Sequence, residues 1–499
     1  MLKQNMMVNN QSRTAQAFWL GLGSVVSFMF GLVSTAVLSR ILPVSEYGTY
    51  RQVLYVYATL QIVFSLGLPR AYSFFLPRLP IEEGRRSVDK INLIFIGAGL
   101  LFGVILYIFS GMIAGLLNNE ALGPCLRRFS PTPVFLLPVL GLESVMATYR
   151  RTYFTVIYVI ISRVLNLVCV LSPVIMWHCG AQGAVTGLTV SAAICCCVGL
   201  WLERLPFRGV QSRSTSLTAG GIMRYSLPLM WAGIWGIVIK SAPQFFISRR
   251  FGTEAFAGFA NGFIELPFAS MLIGAVAGVL LPEISRLARD EANMGRVLEL
   301  WRTAFEKSAA VIYPLAVFAS VFAEDVILLL YGDKYVGAAV YFRMIVVVNL
   351  VRVVPYAPVM LGLGLGKKYA LASLVPAAVA VVGEWAATWI ADSPVWIAGI
   401  QCGALMLHVG MMFYYIGRRT GVGVARLLPW RRCGVLLGLS AGAVMATYTA
   451  LSMCGLSAGF MRLAAGFVLA GSLYLCVSRM CGISYTSLLR PLLKRRNAD

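Results

Sequence analysis

Long apolar runs recur along this 499-residue chain and constrain its fold more than any other feature. A helix needs about 20 residues to cross a hydrocarbon core ~30 Å thick, and each run is at least that long. Within lipid every backbone amide must be satisfied inside its own segment, so runs of this length predict α-helices. The predicted spans are 17–38, 48–69, 91–117, 129–149, 153–176, 181–202, 226–247, 258–281, 308–331, 336–361, 368–391, 395–416, 433–453 and 458–481.

The charge of the chain follows the same segments. A net charge of +22 would suggest nucleic-acid binding if the protein were soluble. Most of the basic residues instead lie in alternate connections, such as 70–90, 204–224, 286–307 and 418–432, and the intervening connections hold few. Such an alternation is typical of the positive-inside rule. It predicts a multi-pass membrane protein with both termini cytoplasmic and no nucleic-acid partner.

Two similar polar segments indicate an internal repeat. SRILPVSEYGTYRQ runs from Ser39 to Gln52, and SRRFGTEAFAGFANG runs from Ser248 to Gly262. Each follows an apolar run, carries Ser-Arg and then Ser/Thr-Glu, and lies on the outer side by the charge pattern. A period of about 209 residues is typical of transporters built from parallel repeats. We therefore expect an all-α polytopic integral membrane protein of about 14 helices, organised as two six-helix bundles, 1–205 and 206–417, and a C-terminal helix pair with a basic cytoplasmic tail, 418–499.

The residues at these two segments, here called the outer hooks (40–51 and 249–262), also carry a family resemblance. LSRILPVSEYGTY resembles the first outer loop of polysaccharide and O-antigen flippases, which belong to the multidrug/oligosaccharidyl-lipid/polysaccharide exporter superfamily. Further similar stretches are RYSLPLMW at 224–231, QFFISRRFGTEAFAGFAN at 244–261, LLPEISRL at 280–287 and LGLGKKYA at 363–370. The chain departs from the family at Gln244, where an acidic residue often stands, so a coupling role for that acid is not carried over.

The resemblance implies a function and a setting. Members of this family move an undecaprenyl-pyrophosphate-linked oligosaccharide from the inner to the outer leaflet of the bacterial cytoplasmic (inner) membrane by alternating access, for surface polysaccharide biosynthesis. The implied partners are this lipid-linked oligosaccharide, membrane lipids, a coupling cation (H⁺ or Na⁺), and a polysaccharide polymerase with a chain-length regulator. No cofactor is implied.

Two other functions remain open at this point. A polysaccharide polymerase or ligase would be an enzyme of the same setting, but such enzymes usually need a long outer loop, and the predicted outer loops are short. A multidrug exporter of the same superfamily commonly has twelve spans and an acidic cavity, whereas this chain places basic residues in its spans. We therefore expect a transporter and not an enzyme. No metal site is expected either, because two histidines cannot build a typical one.

Charged residues inside the spans are the candidate functional residues, because a charge at the bilayer centre costs at least about 2.5–3.5 kcal/mol on insertion scales. Guanidinium groups match phosphate oxygens in bidentate fashion, which suits a pyrophosphate. The candidates for substrate binding are Arg352, Lys240, Arg163 and Arg343. The candidates for coupling or gating are Glu265, Glu143 and Glu384 in the spans, with Glu46 and Arg51 in the first outer hook.

Spacing suggests how some of these residues are arranged. Lys240 and Glu265 lie on consecutive antiparallel spans at similar depth, so an ion pair is feasible, either as a static contact or with a partner that changes during transport. Arg343 and Arg352 are nine residues apart and take opposite faces of an ideal helix. Pro355 favours a bend nearby. We prefer Arg352 as the cavity residue.

The remaining candidates form looser groups. Arg163, with Asn166, and Glu143 make a second constellation in the first half. Glu384 is either a coupling site or part of a packed polar pair. Glu46 and Arg51 are latch partners if the outer hooks rearrange as an outer gate opens; the alternative is that each hook is a simple helix-hairpin turn with capping.

Overall fold

The computed structural model describes residues 13–288, 290 and 293–480, and over these residues it consists of α-helices joined by turns, with no β-strand. The first eleven helices are α1 Arg13–Ile41, α2 Val44–Phe64, α3 Leu68–Phe75, α4 Ile81–Ile108, α5 Ser110–Leu116, α6 Leu122–Phe129, α7 Thr132–Leu136, α8 Leu142–Thr148, α9 Thr152–Trp177, α10 Gly180–Glu203 and α11 Ala219–Gly262.

Ten further helices follow in the second half. They are α12 Pro267–Leu287, α13 Met294–Val321, α14 Ala323–Tyr331, α15 Ala339–Asn349, α16 Tyr356–Gly362, α17 Gly366–Ile390, α18 Pro394–Thr420, α19 Val424–Leu427, α20 Trp430–Met453 and α21 Phe460–Met480. The predicted C-terminal helix pair corresponds to α20 and α21. Both termini and the basic tail lie outside the described residues.

The helices confirm a polytopic membrane protein but not the predicted number of spans. In the described part, nine helices are long and apolar enough to cross a membrane, or up to twelve if each of three bent pairs is one span. The bent pairs are α2 with residues 68–78, residues 122–148, and the two parts of α11. The predicted spans 258–281 and 336–361 are not among the twelve, and each is interrupted by a break in the helix.

Both interruptions have a cause in the sequence. In the tenth predicted span, α15 ends at Asn349 and α16 begins only after Pro355, whose ring removes a backbone donor and disfavours helical geometry in the preceding residue. The bend expected there is therefore a complete break over 350–355. In the eighth predicted span, α11 ends at Gly262 and α12 begins at Pro267, a residue suited to the first position of a helix.

The chain forms two compact units, Met1–Ala257 and Gly258–Asp499. In the first unit, α9 and α10 pack as a hairpin, α1 packs against α9, and most of α11 packs with the helices of this unit. The packing therefore divides the chain at a different residue from the repeat, which places the start of the second bundle at 206. The division at 205 and 417 describes the repeat and stays a prediction.

The second unit has an aromatic core between α13, α16 and α18. Trp301 is fully buried, and its ring lies 5.7 Å from Phe413 and 6.1 Å from Tyr356 between ring centroids. The C-terminal pair packs on α13, where the Tyr474 hydroxyl donates to the carbonyl oxygen of Ala310 at 2.9 Å. This core holds α16, and with it one end of the break at 350–355.

The α9–α10 hairpin depends on a glycine at its closest approach. A Cβ at Gly187 would overlap the carbonyl oxygen of Cys169 and lie 3.1 Å from the Cα of Val170. Because these are backbone atoms, the two helices would have to separate. We expect Gly187→Ala to lower the free energy of unfolding by about 1–3 kcal/mol, the usual cost of overpacking, which would appear as a lower melting temperature and less monodisperse protein in fluorescence-detected size-exclusion chromatography.

The matched control for this prediction is Gly97→Ala in α4. No atom lies within 4 Å of a Cβ at Gly97, and alanine is the better helix former by about 1 kcal/mol. The control should therefore be at least as stable as the original protein. Equal melting temperatures for both variants would contradict the close-packed hairpin.

Candidate functional site

Two of the predicted site residues meet where the two interrupted spans are broken. Glu265 lies in the break between α11 and α12, and Arg352 lies in the break between α15 and α16. The Nη1 of Arg352 donates to Oε1 of Glu265 at 2.7 Å. The side chains are 34% and 41% exposed, respectively. The pair is therefore accessible and is not sealed in the protein core.

Two glycines bring the broken spans together on both sides of this ion pair. A Cβ at Gly262 would overlap the carbonyl oxygen of Ala338, just before α15. A Cβ at Gly362, at the end of α16, would lie 2.8 Å from the Ile284 side chain of α12. Because neither glycine has a side chain, the two spans run close and parallel. Their breaks then fall beside each other.

The arrangement leaves hydrogen-bonding capacity at the breaks. Irregular backbone at membrane depth is tolerated only where it is buried in protein or lines a water-filled cavity, and broken helices commonly carry the binding sites of transporters. In the described part of the chain, the hydrogen bond to Glu265 uses one of the five guanidinium donors of Arg352. The site can therefore hold an anion in addition to its carboxylate, or exchange one for the other.

Arg343 has a different partner from Arg352. Its Nη2 donates to Oε1 of Glu324 at 2.9 Å, and its Nε donates to the carbonyl oxygen of Ser320 at 3.2 Å. Both side chains of this second ion pair are exposed. The two arginines thus occupy separate environments, because Arg343 lies on α15 and Arg352 lies in the break that follows it. The sequence analysis missed Glu324, which lies in the first turn of the short helix α14.

Lys240 and Glu265 were expected to be capable of pairing, but the described partner of Glu265 is Arg352. Lys240 is exposed on α11 in the first unit. The prediction paired consecutive spans, because sequence spacing gives depth but not which spans are neighbours. A substrate-binding role for Lys240 stays a prediction.

Next to the first outer hook, α2 packs against α11 within the first unit. The Nε2 of Gln52 donates to the Ser248 hydroxyl at 2.7 Å, and that hydroxyl donates to the carbonyl oxygen of Leu117 at 2.8 Å. Asn119 adds a hydrogen bond from its Nδ2 to the Oε1 of Gln52 at 2.5 Å. Gln52 and Ser248 are fully buried. We call this contact between α2 and α11 the α2–α11 seam.

The seam extends along both helices from these residues. The Tyr55 hydroxyl donates to the carbonyl oxygen of Ser241 at 3.0 Å, and the hydroxyls of Thr59 and Ser241 are 3.0 Å apart. A Cβ at Gly48 would lie 2.6 Å from the carbonyl oxygen of Thr253. The two outer hooks are therefore in contact, since Gly48 belongs to the first and Thr253 to the second. The sequence analysis considered only charged residues here and missed the uncharged ones.

Glu46 holds the first hook to a third helix. Its Oε2 accepts a hydrogen bond from the backbone N–H of Ala181 at 3.1 Å, in the first turn of α10. Helix N-termini have unsatisfied N–H groups and favour negative charge. Helix α2, which begins inside the first hook, has no side-chain cap at Pro43. The first hook therefore joins α1 to α2 and also contacts the start of α10. Glu46 and half-buried Arg51 keep their gating roles as predictions.

The second predicted constellation is only partly brought together. Arg163 and Asn166 of α9 line a cavity of about 260 Å³, and the Nδ2 of Asn166 donates to the Ser191 hydroxyl at 3.2 Å. Glu143 of α8 is exposed and is not among the residues that line this cavity.

Glu384 lies at the interface of α17 and α18. Its side chain is fully buried, and neither carboxylate oxygen has a hydrogen-bond partner among the described residues. A Cβ at the adjacent Gly383 would lie 3.0 Å from Ile400 of α18, which places this level of α17 against its neighbour. An ionised carboxylate without partners is very costly in such surroundings, so the neutral form is favoured. The predicted coupling role is untested by these contacts.

Known proteins resemble this chain in sequence and in fold. The family model described as polysaccharide biosynthesis protein matches residues 37–340, more than half of the chain. No curated protein matches it. Among solved structures, the lipid II flippase MurJ in an inward closed conformation is similar with a TM-score of 0.70 and 11% identity, over 94% of this chain and 99% of that one.

Two other transporters are also similar. A mutant of the Vibrio cholerae MATE transporter VcmN has a TM-score of 0.56 and 16% identity, over 81% of this chain and 94% of that one. A MOP superfamily transporter from Pyrococcus furiosus has a TM-score of 0.56 and 12% identity over the same shares. At these identities the structural matches show a common fold, and the fold alone does not distinguish a lipid flippase from a drug exporter.

Proposed function

Since the chain belongs to the polysaccharide biosynthesis protein family, we propose that this multi-pass membrane protein is a flippase for an undecaprenyl-pyrophosphate-linked oligosaccharide. It moves this lipid from the inner to the outer leaflet of the bacterial cytoplasmic membrane by alternating access, and both of its termini are cytoplasmic. The product serves the assembly of a surface polysaccharide, with a polymerase and a chain-length regulator as protein partners.

The Glu265–Arg352 ion pair is the observation that supports this proposal best. The guanidinium is held at two adjacent helix breaks, is half-exposed, and has donors left for phosphate oxygens. In the resting state Glu265 neutralises Arg352. When the substrate enters, its pyrophosphate replaces Glu265 as the partner of the guanidinium. Arg343, with Glu324 as its counter-ion, can exchange partners in the same way, and Lys240 and Arg163 add positive charge.

Gating is assigned to the outer hooks. The hooks meet at Gly48 and Thr253, and beside them the α2–α11 seam is held by hydrogen bonds between uncharged polar side chains. We propose that the seam opens when the substrate leaves, while Glu46 keeps the first hook attached to α10. Arg51 and Glu143 complete the set of proposed gating and coupling residues.

A gene deletion tests the proposed function directly. Lipid-linked sugars are extracted from the deletion strain, and surface polysaccharide is assayed in parallel. Trapping of the undecaprenyl-linked oligosaccharide on the inner leaflet, with loss of surface polymer, is the expected result. Single units that still reach the surface with shortened chains would indicate a polymerase instead, and unchanged glycans with new drug sensitivity would indicate an exporter.

Glu384 is the proposed site for a coupling proton, because burial without a hydrogen bond favours its neutral form. Glu384→Gln imitates that neutral form, so we expect normal amounts of folded protein. Transport by this variant in proteoliposomes should no longer respond to an imposed proton gradient, whereas the exposed-site control Glu120→Gln should respond as the original protein does. An unchanged response of Glu384→Gln would assign coupling to another group or to Na⁺.

A further inference from the structure

Arg163 lies near the middle of a transmembrane helix. It is eleven residues from the start of α9, which at about 1.5 Å per residue places it roughly 16 Å into the span. The hydrocarbon core is about 30 Å thick, so Arg163 is far from both surfaces. A cation at this depth is costly, and such residues usually face a partner or a water-filled cavity.

Among the residues that the structure describes, no partner compensates this charge. In the part of the protein that the structure describes, the Arg163 guanidinium makes no hydrogen bond or ion pair. Arg343 and Arg352, the other arginines proposed to bind substrate, each have a glutamate within 3 Å. Glu143, the acid expected near Arg163, does not line the same cavity. Arg163 is therefore suited to an anion that is not part of the protein.

The cavity beside Arg163 is lined by further hydrogen-bonding groups. Ser162, Asn166, Ser191 and Tyr158 contribute hydroxyl and amide groups to its wall. The guanidinium can only donate. The Ser162 and Ser191 hydroxyls already donate to the carbonyl oxygens of Val159 and Leu188, so the further donors are the second amide N–H of Asn166 and the Tyr158 hydroxyl. This set is suited to a ligand that carries several acceptor oxygens and negative charge, and the positive charge disfavours a cationic ligand.

An exposed apolar stripe runs along another face of α9. Ile157, Ile161, Val164 and Val168 are exposed and lie at helical spacing. At 100° per residue, this apolar stripe lies mainly on the side of α9 away from Arg163 and Asn166. Arg163 is itself exposed, and it lies on the side of α9 that borders the cavity.

From these observations we propose that the cavity around Arg163 binds the phosphate-type oxyanion of a lipid-borne ligand. Apolar side chains such as Leu136, Val139 and Leu140 line the rest of the cavity, which fits an amphiphile better than a free ion. The oxyanion belongs either to a membrane phospholipid or to the pyrophosphate of the transported lipid. The proposal rests on the proposed function only for the second of these sources.

Binding to the purified protein tests this proposal without any transport assay. The protein is reconstituted in nanodiscs of neutral lipid, and three probes are titrated separately: phosphatidylglycerol, undecaprenyl pyrophosphate and inorganic phosphate. We expect at least one of the two lipids to bind, and Arg163→Gln to weaken that binding by about tenfold or more, because hydrogen bonds to charged groups are the strong ones. Competition between the two lipids identifies which source the site prefers.

Arg462→Gln is the matched control, because it removes one arginine from a helix that does not border the cavity. It should bind the lipids as the original protein does. Should Arg163→Gln fail to fold, phenylglyoxal labelling of the original protein followed by peptide mass spectrometry gives the same information, since a bound lipid should protect Arg163 from modification. Lipid binding that is equal in Arg163→Gln and the original protein, absence of protection, or binding of inorganic phosphate alone would each overturn the proposal.

Discussion

Replacement of Arg352 by alanine should abolish transport and leave the amount of membrane-inserted protein unchanged. The side chain is only half-buried, and its partner Glu265 is exposed enough to be hydrated when left alone, so the loss of stability should be small. The loss of function should be large, because a bidentate guanidinium–phosphate contact contributes about 1.5–3 kcal/mol per hydrogen bond. Flipping of the lipid-linked oligosaccharide, normalised to inserted protein, measures the effect.

Two companion variants separate charge from geometry. Arg352→Lys keeps the charge and loses the planar fork, so we expect transport between that of the alanine variant and that of the original protein. The double variant Glu265→Arg with Arg352→Glu keeps an ion pair but moves the cation to the other break. Full transport by Arg352→Ala would remove this arginine from the mechanism, and full transport by the double variant would mean that only the pair matters.

Gly48→Val is expected to lower transport at least tenfold by preventing the outer hooks from closing. A Cβ at this position would lie 2.6 Å from both the side chain and the carbonyl oxygen of Thr253, and the carbonyl is backbone that cannot rotate away. The valine therefore keeps α2 and α11 apart at the end of the seam where Gly48 meets Thr253. Gln52 and Ser248 are both fully buried in the closed seam. Cysteines introduced at these positions should therefore become more accessible to thiol reagents in the valine variant.

Gly258→Val is the control, because Gly258 belongs to the second outer hook and a Cβ there meets no atom within 4 Å. Valine is a somewhat better helix former than glycine at either site, so this effect cancels in the comparison. Equal transport by the two variants would show that the hooks do not need to touch. Loss of folded Gly48→Val protein would instead indicate that the seam is permanent packing.

Sequence patterns predicted the membrane class and the individual helices well, because apolar length and the needs of the backbone in lipid are local properties. The interruptions were harder to predict. Pro355 signalled a bend, but no pattern showed that the helix would stop at Asn349 and leave Arg352 in irregular backbone. A hydropathy run also continues across the break before Pro267. The described helices therefore support nine to twelve spans and do not confirm the count of fourteen.

The candidate site was predicted as a set of residues and not as a set of contacts. Depth follows from counting along a helix, which is why Glu265 and Arg352 were both selected. Which spans adjoin is decided by the close approaches at Gly262 and Gly362, and these depend on atoms far away in sequence. The hydrogen bonds of Gln52 with Ser248 were missed for a simpler reason: uncharged polar residues in a span carry no signal as strong as a misplaced charge.

The composition of the α2–α11 seam has a consequence for the rate of the transport cycle. Its members are amides and hydroxyls, so water can replace each lost hydrogen bond when the seam parts, and the net difference is only about 0.5–1.5 kcal/mol per bond. A seam of ion pairs or tightly packed aromatic rings would favour one conformation much more strongly. A carrier that must visit both conformations in every cycle works fastest when neither is a thermodynamic trap. Uncharged polar side chains at this contact therefore suit rapid turnover better than strongly stabilising contacts would.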